Sequence, residues 1–279
     1  MIFPLRKIGK GRIPGFGLSL GLSLSYLSFL ILIPVSSLVL YAARMPLKEY
    51  FRIILDARVI AAFKISFFSA IIAALVNFVF GFVIAWVLTR YNFWGKKIFD
   101  AFIDLPFAIP TAVAGISLAT IFSPNGFLGK FLATFNISLG YSKTGIVIAL
   151  IFIGFPFVVR TVQPVIEELD STVEEAAASL GANYFQIFIR VIFPAVLPAL
   201  ITGATMAFAR GLGEYGSVIF ISSNMPYESE IVPLLIVKKL MQFDYVGASA
   251  IGVTMLIVAF IMLLITNLLQ NYMLKRQSS

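Results

Sequence analysis

Long stretches without a charged side chain alternate along this sequence with short clusters of Lys, Arg, Asp and Glu. The charge-free runs cover 16–43, 65–89, 105–129, 144–159, 191–209 and 245–274. A hydrocarbon core about 30 Å thick is crossed by roughly 20 apolar residues in a helix. The pattern therefore predicts an all-α, polytopic membrane protein with six transmembrane helices. The fourth run is the shortest and stops at Arg160, so its helix is expected to continue beyond the run. Membrane-spanning strands are shorter and alternate apolar with polar residues; these runs do neither. Proline and glycine recur at membrane depth, at Pro34, Pro106, Pro110, Gly115, Gly154, Pro156, Pro194 and Pro198. Interrupted helices persist in lipid only against protein or a water-filled cavity, so the bundle is expected to line something.

Composition agrees with lipid as the solvent. Of 279 residues, 60% are hydrophobic and 12% charged, against about 45–50% and about 25% in soluble domains. One soluble core cannot hide that excess. An ordinary soluble enzyme, a disordered regulator and a fibrous protein are excluded. Cys and His are both absent, which removes disulfides, thiolate metal sites, Ser-His-Asp catalysis and His-ligated zinc or haem. The net charge is +8, but the basic residues flank apolar runs instead of forming a patch. That distribution sets orientation and does not suggest nucleic-acid binding. Arg6, Lys7, Lys10 and Arg12 precede a first run too long for a signal peptide and without an Ala-x-Ala site, so an uncleaved first helix is expected. Lys275 and Arg276 follow the last run, matching an even number of spans with both termini cytoplasmic. The chain divides into 1–64 (tail, first helix and outer loop), 65–274 (the main transmembrane domain) and a short tail at 275–279.

Between the fourth and fifth runs the sequence becomes polar and helix-forming. Ser171 with Glu174, and Thr172 with Glu175, have capping-box spacing, and their acids favour the helix dipole. Three alanines propagate this helix and Gly181 suits a C′ position. A second short helix is expected from Asn183 to Val191, with Pro194 opening the next span. A loop that only reversed the chain would be shorter and would not need two well-made helices. The design suits a docking surface for a cytoplasmic partner.

Glu175-Ala176-Ala177, Gly181 and Val191-Ile192-Phe193-Pro194 together resemble the EAA loop of ABC importer permeases. That loop ends in Ile-x-Leu-Pro; Val191 and Phe193 keep the apolar character of its two variable positions. The resemblance implies the type I importer permease fold, with Glu174, Glu175, Ala176, Ala177, Gly181, Val191 and Pro194 in a coupling helix that docks on an ATPase subunit. Three further segments, 105–115, 155–164 and 208–218, are similar to motifs of sulfate/thiosulfate permeases, and Glu230-Ile231-Val232-Pro233 fits their outer loop. Tyr215 and Ser217 resemble the T-type subunit. The family's partners would be a second homologous permease, two ATP-binding subunits and a periplasmic or extracellular sulfate-binding protein. The expected location is the inner (plasma) membrane. The chain would be a transport subunit and not an enzyme, with no cofactor of its own because ATP binds the partner. No Walker A motif occurs.

Within the bundle, Arg210 and Glu214 are spaced to face one side of a helix in the fifth span. They form either an ion pair that fixes packing or an element of a pathway or gate. Gly211, Gly213 and Gly216 spell a dinucleotide fingerprint, but without the preceding strand it needs; close packing is the expected role. Breaks at Pro106 and Pro110 would expose backbone N–H groups that hold an anion without a full charge, so Thr111 and its neighbours are expected along the route. Arg160 either snorkels to the interface or guards the inner end. Two alternatives share parts of this reading. One is a permease for molybdate or another tetrahedral oxyanion. The other is a gradient-driven anion carrier using Glu214, which would leave the polar elbow unexplained.

Overall fold

The computed structural model describes the backbone of residues 16–277 and the side chains of 16–268. The basic residues at 6, 7, 10 and 12 and the side chains of Lys275 and Arg276 lie outside the described residues. Within them every regular element is a helix: α1 (Phe16–Ala42), α2 (Leu47–Ile54), α3 (Ala57–Arg90), α4 (Lys96–Ile103), α5 (Leu105–Ala108), α6 (Thr111–Phe122), α7 (Phe127–Ala133), α8 (Lys143–Glu167), α9 (Ser171–Ser179), α10 (Tyr184–Leu212), α11 (Val218–Ile221), α12 (Val232–Met241) and α13 (Tyr245–Gln277). The last helix continues through 275–277, where a tail is expected from the sequence.

Helices α1, α3, α8, α10 and α13 are long and apolar enough to cross a bilayer. The sixth crossing is not the single helix expected over 105–129. It is broken, and α6 and α7 reach the required length only as a pair bent by 42°. Proline causes both breaks. Pro110 has no N–H and drives Ile109 extended (φ −90°, ψ 132°). Pro124 does the same to Ser123 (φ −60°, ψ 158°). The fourth crossing runs past Arg160 to Glu167 as expected.

Helices α3, α8 and α10 pack against one another to form the centre of the bundle. In lipid there is little hydrophobic drive between helices, so contact depends on small residues that let backbones approach. The buried stripe of α3 shows this: Ser66, Ser69, Ala70, Ala73, Asn77, Gly81 and Ala85 recur at helical spacing. A Cβ on Gly154 would lie 2.6 Å from Asn77 Nδ2, and one on Gly203 would lie 2.8 Å from Val158 Cα. These contacts also set the depth of each residue. Gly203 lies opposite Val158, Ala207 opposite Gly154, and Gly211 against Leu150. Pro156 interrupts the backbone bonding of α8, and Asn77 Nδ2 donates to the nearby Ile151 carbonyl at 3.2 Å. Helix α13 covers α10 and α12, while α1 packs on α13 at the edge.

At the end of α3 opposite Arg90, a buried carboxylate ties three segments together. Glu230 is fully buried. It accepts a bidentate pair from Arg58 (2.7 and 2.8 Å) and a third bond from Lys238 Nζ at 2.7 Å. Burial alone would raise this carboxyl; the hydrogen bonds and charges of Arg58 and Lys238 outweigh it and hold it below the ordinary carboxylate range. Two residues on, Val232 N donates to Ser66 Oγ at 2.8 Å. Replacing Glu230 with Gln leaves two cations, each about a third exposed, without their acid, and a cost of about 1–3 kcal/mol is expected, below that of a fully buried pair because solvent reaches the cations left behind. Thermal unfolding in detergent at neutral pH measures it. Because the folded-state carboxyl is depressed, its stabilisation is complete above the ordinary carboxylate range and disappears as pH falls through the lowered value. Wild type therefore loses its advantage over Glu230→Gln in acid.

Candidate functional site

After α8 the chain leaves the bundle and builds a helical elbow. Asp170 caps α9, its Oδ1 accepting from Thr172 N at 2.9 Å, so the cap lies one residue ahead of the two capping boxes expected at Ser171 and Thr172. An aspartate with extended backbone at that position satisfies the orphan donors first, and the bonds from Thr172 lower its carboxyl. The helix ends in a Schellman motif. Ala182 N bonds Ala177 O at 3.1 Å and Gly181 N bonds Ala178 O at 2.9 Å. Gly181 has φ +85°, and a Cβ there would meet nothing within 4 Å. Its conformation alone calls for glycine. A true capping box follows, with Asn183 N donating to Gln186 Oε1 and Gln186 N to Asn183 Oδ1, both at 2.9 Å.

The second short helix does not stop at Val191. It passes through a π turn at Phe188–Ile192 and becomes α10 without a break, so Pro194 lies inside the span and does not open it. A regular turn would set the proline ring against the Arg190 carbonyl, and the wide turn relieves that conflict.

The elbow has a bound face and a free face. Glu174 Oε1 meets Arg90 Nη2 at the end of α3 at 2.5 Å, and the Arg90 guanidinium lies 5.1 Å over the Trp86 ring. Ile187 is buried, and Ala177 and Val191 pack into the same apolar cluster as Ala85, Leu88 and Val162. Glu175 and Ala176 face outward. Along the same elbow Val173, Leu180, Tyr184 and Phe185 are exposed apolar side chains, with Leu180 89% and Tyr184 94% exposed, and Tyr184 lines a groove with Glu174, Glu175, Phe82 and Trp86. The two glutamates flagged in the sequence thus have separate positions: Glu174 anchors and Glu175 is presented.

The remaining candidates fall into two places. Pro106 sits in the first turn of α5, and Pro110 is extended and precedes α6. Thr111, the first residue of α6, abuts the turn 213–217, since a Cβ on Gly216 would fall 2.2 Å from Thr111 Oγ1. Gly115 lies against the Ser217 backbone in the same way. Helix α10 ends at Leu212, so Glu214 lies beyond the helix expected to contain it. It still pairs with Arg210 (Nη1–Oε2 2.6 Å). Glu214 is buried, and its other oxygen accepts from Ser217 N at 2.8 Å and Ser217 Oγ at 3.0 Å. Because Gly211 rests on Leu150, this turn lies well inside the bundle. The end of one broken helix and the start of another meet here.

Arg160 is elsewhere, and its surroundings are illegible from sequence. Its guanidinium donates to Asp104 Oδ1 and Oδ2 (2.8 and 2.7 Å), Asp100 Oδ1 (2.7 Å), the Asp100 carbonyl (2.9 Å) and Gln163 Oε1 (2.8 Å). All five donors of an arginine are engaged, leaving none for a passing anion. Asp100 and Asp104 lie 60 and 56 residues away, and only the fold brings them together. Arg160 clamps α4 and α5 to α8. A lysine cannot reproduce that fork. Arg160→Lys is expected to loosen residues 96–104 by about 1 kcal/mol, as expected of a partly exposed pair, read as faster amide exchange confined to that segment.

Comparison with known proteins follows from this geometry. Residues 77–279 match the profile of the family described as binding-protein-dependent transport system inner membrane component. The chain is 47% identical over 259 residues to the sulfate transport system permease protein CysT of Escherichia coli (strain K12), covering 93% of this chain and 94% of that protein. It is 45% identical over 250 residues to the probable sulfate transport system permease protein cysT of Chlorokybus atmophyticus, covering 90% and 87%. A solved bacterial ABC transporter involved in the import of the acidic polysaccharide alginate aligns with a TM-score of 0.76 at 17% identity, over 92% of this chain and 96% of that one. The fold is that of a type I ABC importer permease. With a matching profile over most of its length and close identity along nearly all of it, the chain belongs to the family of binding-protein-dependent transport system inner membrane components.

Proposed function

We propose that this chain is a permease subunit of an ATP-driven sulfate importer, set in the plasma membrane with both termini cytoplasmic. It works with a second homologous permease, two ATP-binding subunits and an external sulfate-binding protein. The observation that carries the reading is the elbow. Its α9 helix is capped at both ends, it is anchored through Glu174 to Arg90, and it leaves the apolar side chains of Leu180, Tyr184 and Phe185 exposed at one end of the bundle. Such a knob suits a partner that moves it as a rigid body. Sulfate as cargo rests on the relatives named for its transport.

Two rigid connections lead inward from the elbow. One is the Arg90–Glu174 pair to α3, and the other is the unbroken α10, which reaches the Arg210–Glu214 turn. That turn touches Thr111 at the start of α6. ATPase closure would thus shift the two helix ends that meet within the bundle. Arg210 is the better anion contact than Arg160. Its side chain is 37% exposed and its ion pair is with Glu214 alone, so its charge is offset by one acid but its donors are not exhausted. Weak, incomplete charge is what conduction needs, because a tightly held ion does not leave. A proton-coupled carrier would need an acid free to titrate, whereas the buried acids Glu214 and Glu230 both have cationic partners.

Glu175→Lys and Leu180→Asp are expected to weaken ATPase co-purification at least about tenfold, in keeping with loss of an interface hot spot. Both should abolish ATP-dependent sulfate uptake while membrane insertion stays normal. Thr111→Val is expected to lower uptake with the ATPase still bound. Full uptake in the elbow variants would refute the docking role.

A further inference from the structure

Outside the elbow and the central turn, one groove joins unneutralised charge to an apolar channel. Its volume is ≈570 Å³, and it lies between α3 and α8, with Tyr227 from the outer loop at its rim. Lys64 and Lys143 line it and no carboxylate does. Neither lysine makes an ion pair among the described residues. The groove over α2 differs, because there Arg44, Arg52 and Lys239 share the lining with Glu49 and Asp244.

The position of Lys64 is informative. From Lys64 to Arg90 helix α3 rises about 39 Å. A bilayer with its headgroup regions measures about 40–45 Å. With Arg90 at one interface, Lys64 falls at headgroup level on the other. Below Lys64, Phe68, Ile72, Leu75, Val79 and Val83 of α3 are all exposed and follow helical spacing. The groove itself continues from the lysines onto Ile65, Phe68 and Ile72. Two cations at headgroup depth above a continuous apolar stripe match the two ends of one kind of molecule.

We propose that this groove is a binding site for an anionic phospholipid of the outer leaflet. Its phosphate sits between Lys64 and Lys143, and one acyl chain lies along Phe68 and Ile72. A free oxyanion would satisfy the lysines but not the channel beneath them. The groove shares no lining residue with the Arg210–Glu214 turn or with Thr111; its leaflet rests on the orientation proposed above, and it does not depend on which anion is carried.

The test uses the full chain in nanodiscs of phosphatidylcholine with or without phosphatidylglycerol, followed by native mass spectrometry of retained lipid. Wild type should retain phosphatidylglycerol selectively, and excess inorganic phosphate or sulfate should not displace it. The doubly substituted Lys64→Gln, Lys143→Gln chain should lose about thirtyfold in that preference, each lysine near a membrane surface contributing about fivefold. Lys64→Arg with Lys143→Arg should restore it. Equal retention by the Gln variant overturns the proposal. So does displacement by free phosphate, or cross-linking of Lys64 to a second permease chain in the assembled transporter.

Discussion

Hydrocarbon offers no hydrogen bonds, so every polar group that enters it must find a partner within the protein. That constraint explains most of the polar contacts in this bundle. Thr161 and Thr205 return their hydroxyls to the carbonyls of Phe157 and Ile201, one turn back. Asn77 Nδ2 donates to the Ile151 carbonyl near the Pro156 break, while Asn77 Oδ1 is buried without a partner among the described residues and is an exception to the rule. Glu214 and Glu230, the buried acids among the described residues, are held by Arg210 with Ser217 and by Arg58 with Lys238 respectively. Where the backbone breaks, between Ala108 and Thr111 and between Leu212 and Val218, the two interruptions meet, Thr111 against Gly216 and Gly115 against Ser217.

The same constraint decides what was legible in the sequence. Long charge-free runs reported the crossings, because a helix is the cheapest way to satisfy a backbone in lipid. Gly181 was legible because a left-handed residue after an alanine run has few other candidates. The broken third crossing was only half legible: Pro106 and Pro110 announced an interruption, but an apolar count over 105–129 could not give its angle. The cap at Asp170 was missed because Ser171 and Thr172 offered the same chemistry one and two residues later. Arg160 was the least legible of all. A lone arginine near a span end suggests snorkelling or a gate, and only the fold brings Asp100 and Asp104 to it.

Arg160 and Arg210 then separate by a simple donor count. Arg160 has a full set of acceptors and acts as a fixed point between α8 and the segment leading to Pro106. Arg210 has one buried acid and partial exposure. A guanidinium in the first condition holds geometry. In the second it offers a field, moderated by the glutamate beside it. In a low-dielectric setting that moderation is large, since charges a few ångströms apart interact several times more strongly than in water.

Under the proposed function this arrangement also accounts for the length of α10. A coupling element that ended at Val191 would pass force to the bundle through a joint. The helix stays continuous from Tyr184 to Leu212 through the π turn at Phe188–Ile192 and past Pro194 and Pro198, so displacement at Tyr184 has a continuous backbone path to Leu212. There the helix stops, and the next rigid body it meets is α6 at Thr111. A coupling helix is useful only if its far end can move against something. The close approach of Gly216 to Thr111 and of Gly115 to Ser217 supplies that contact while leaving no bulky side chain in between.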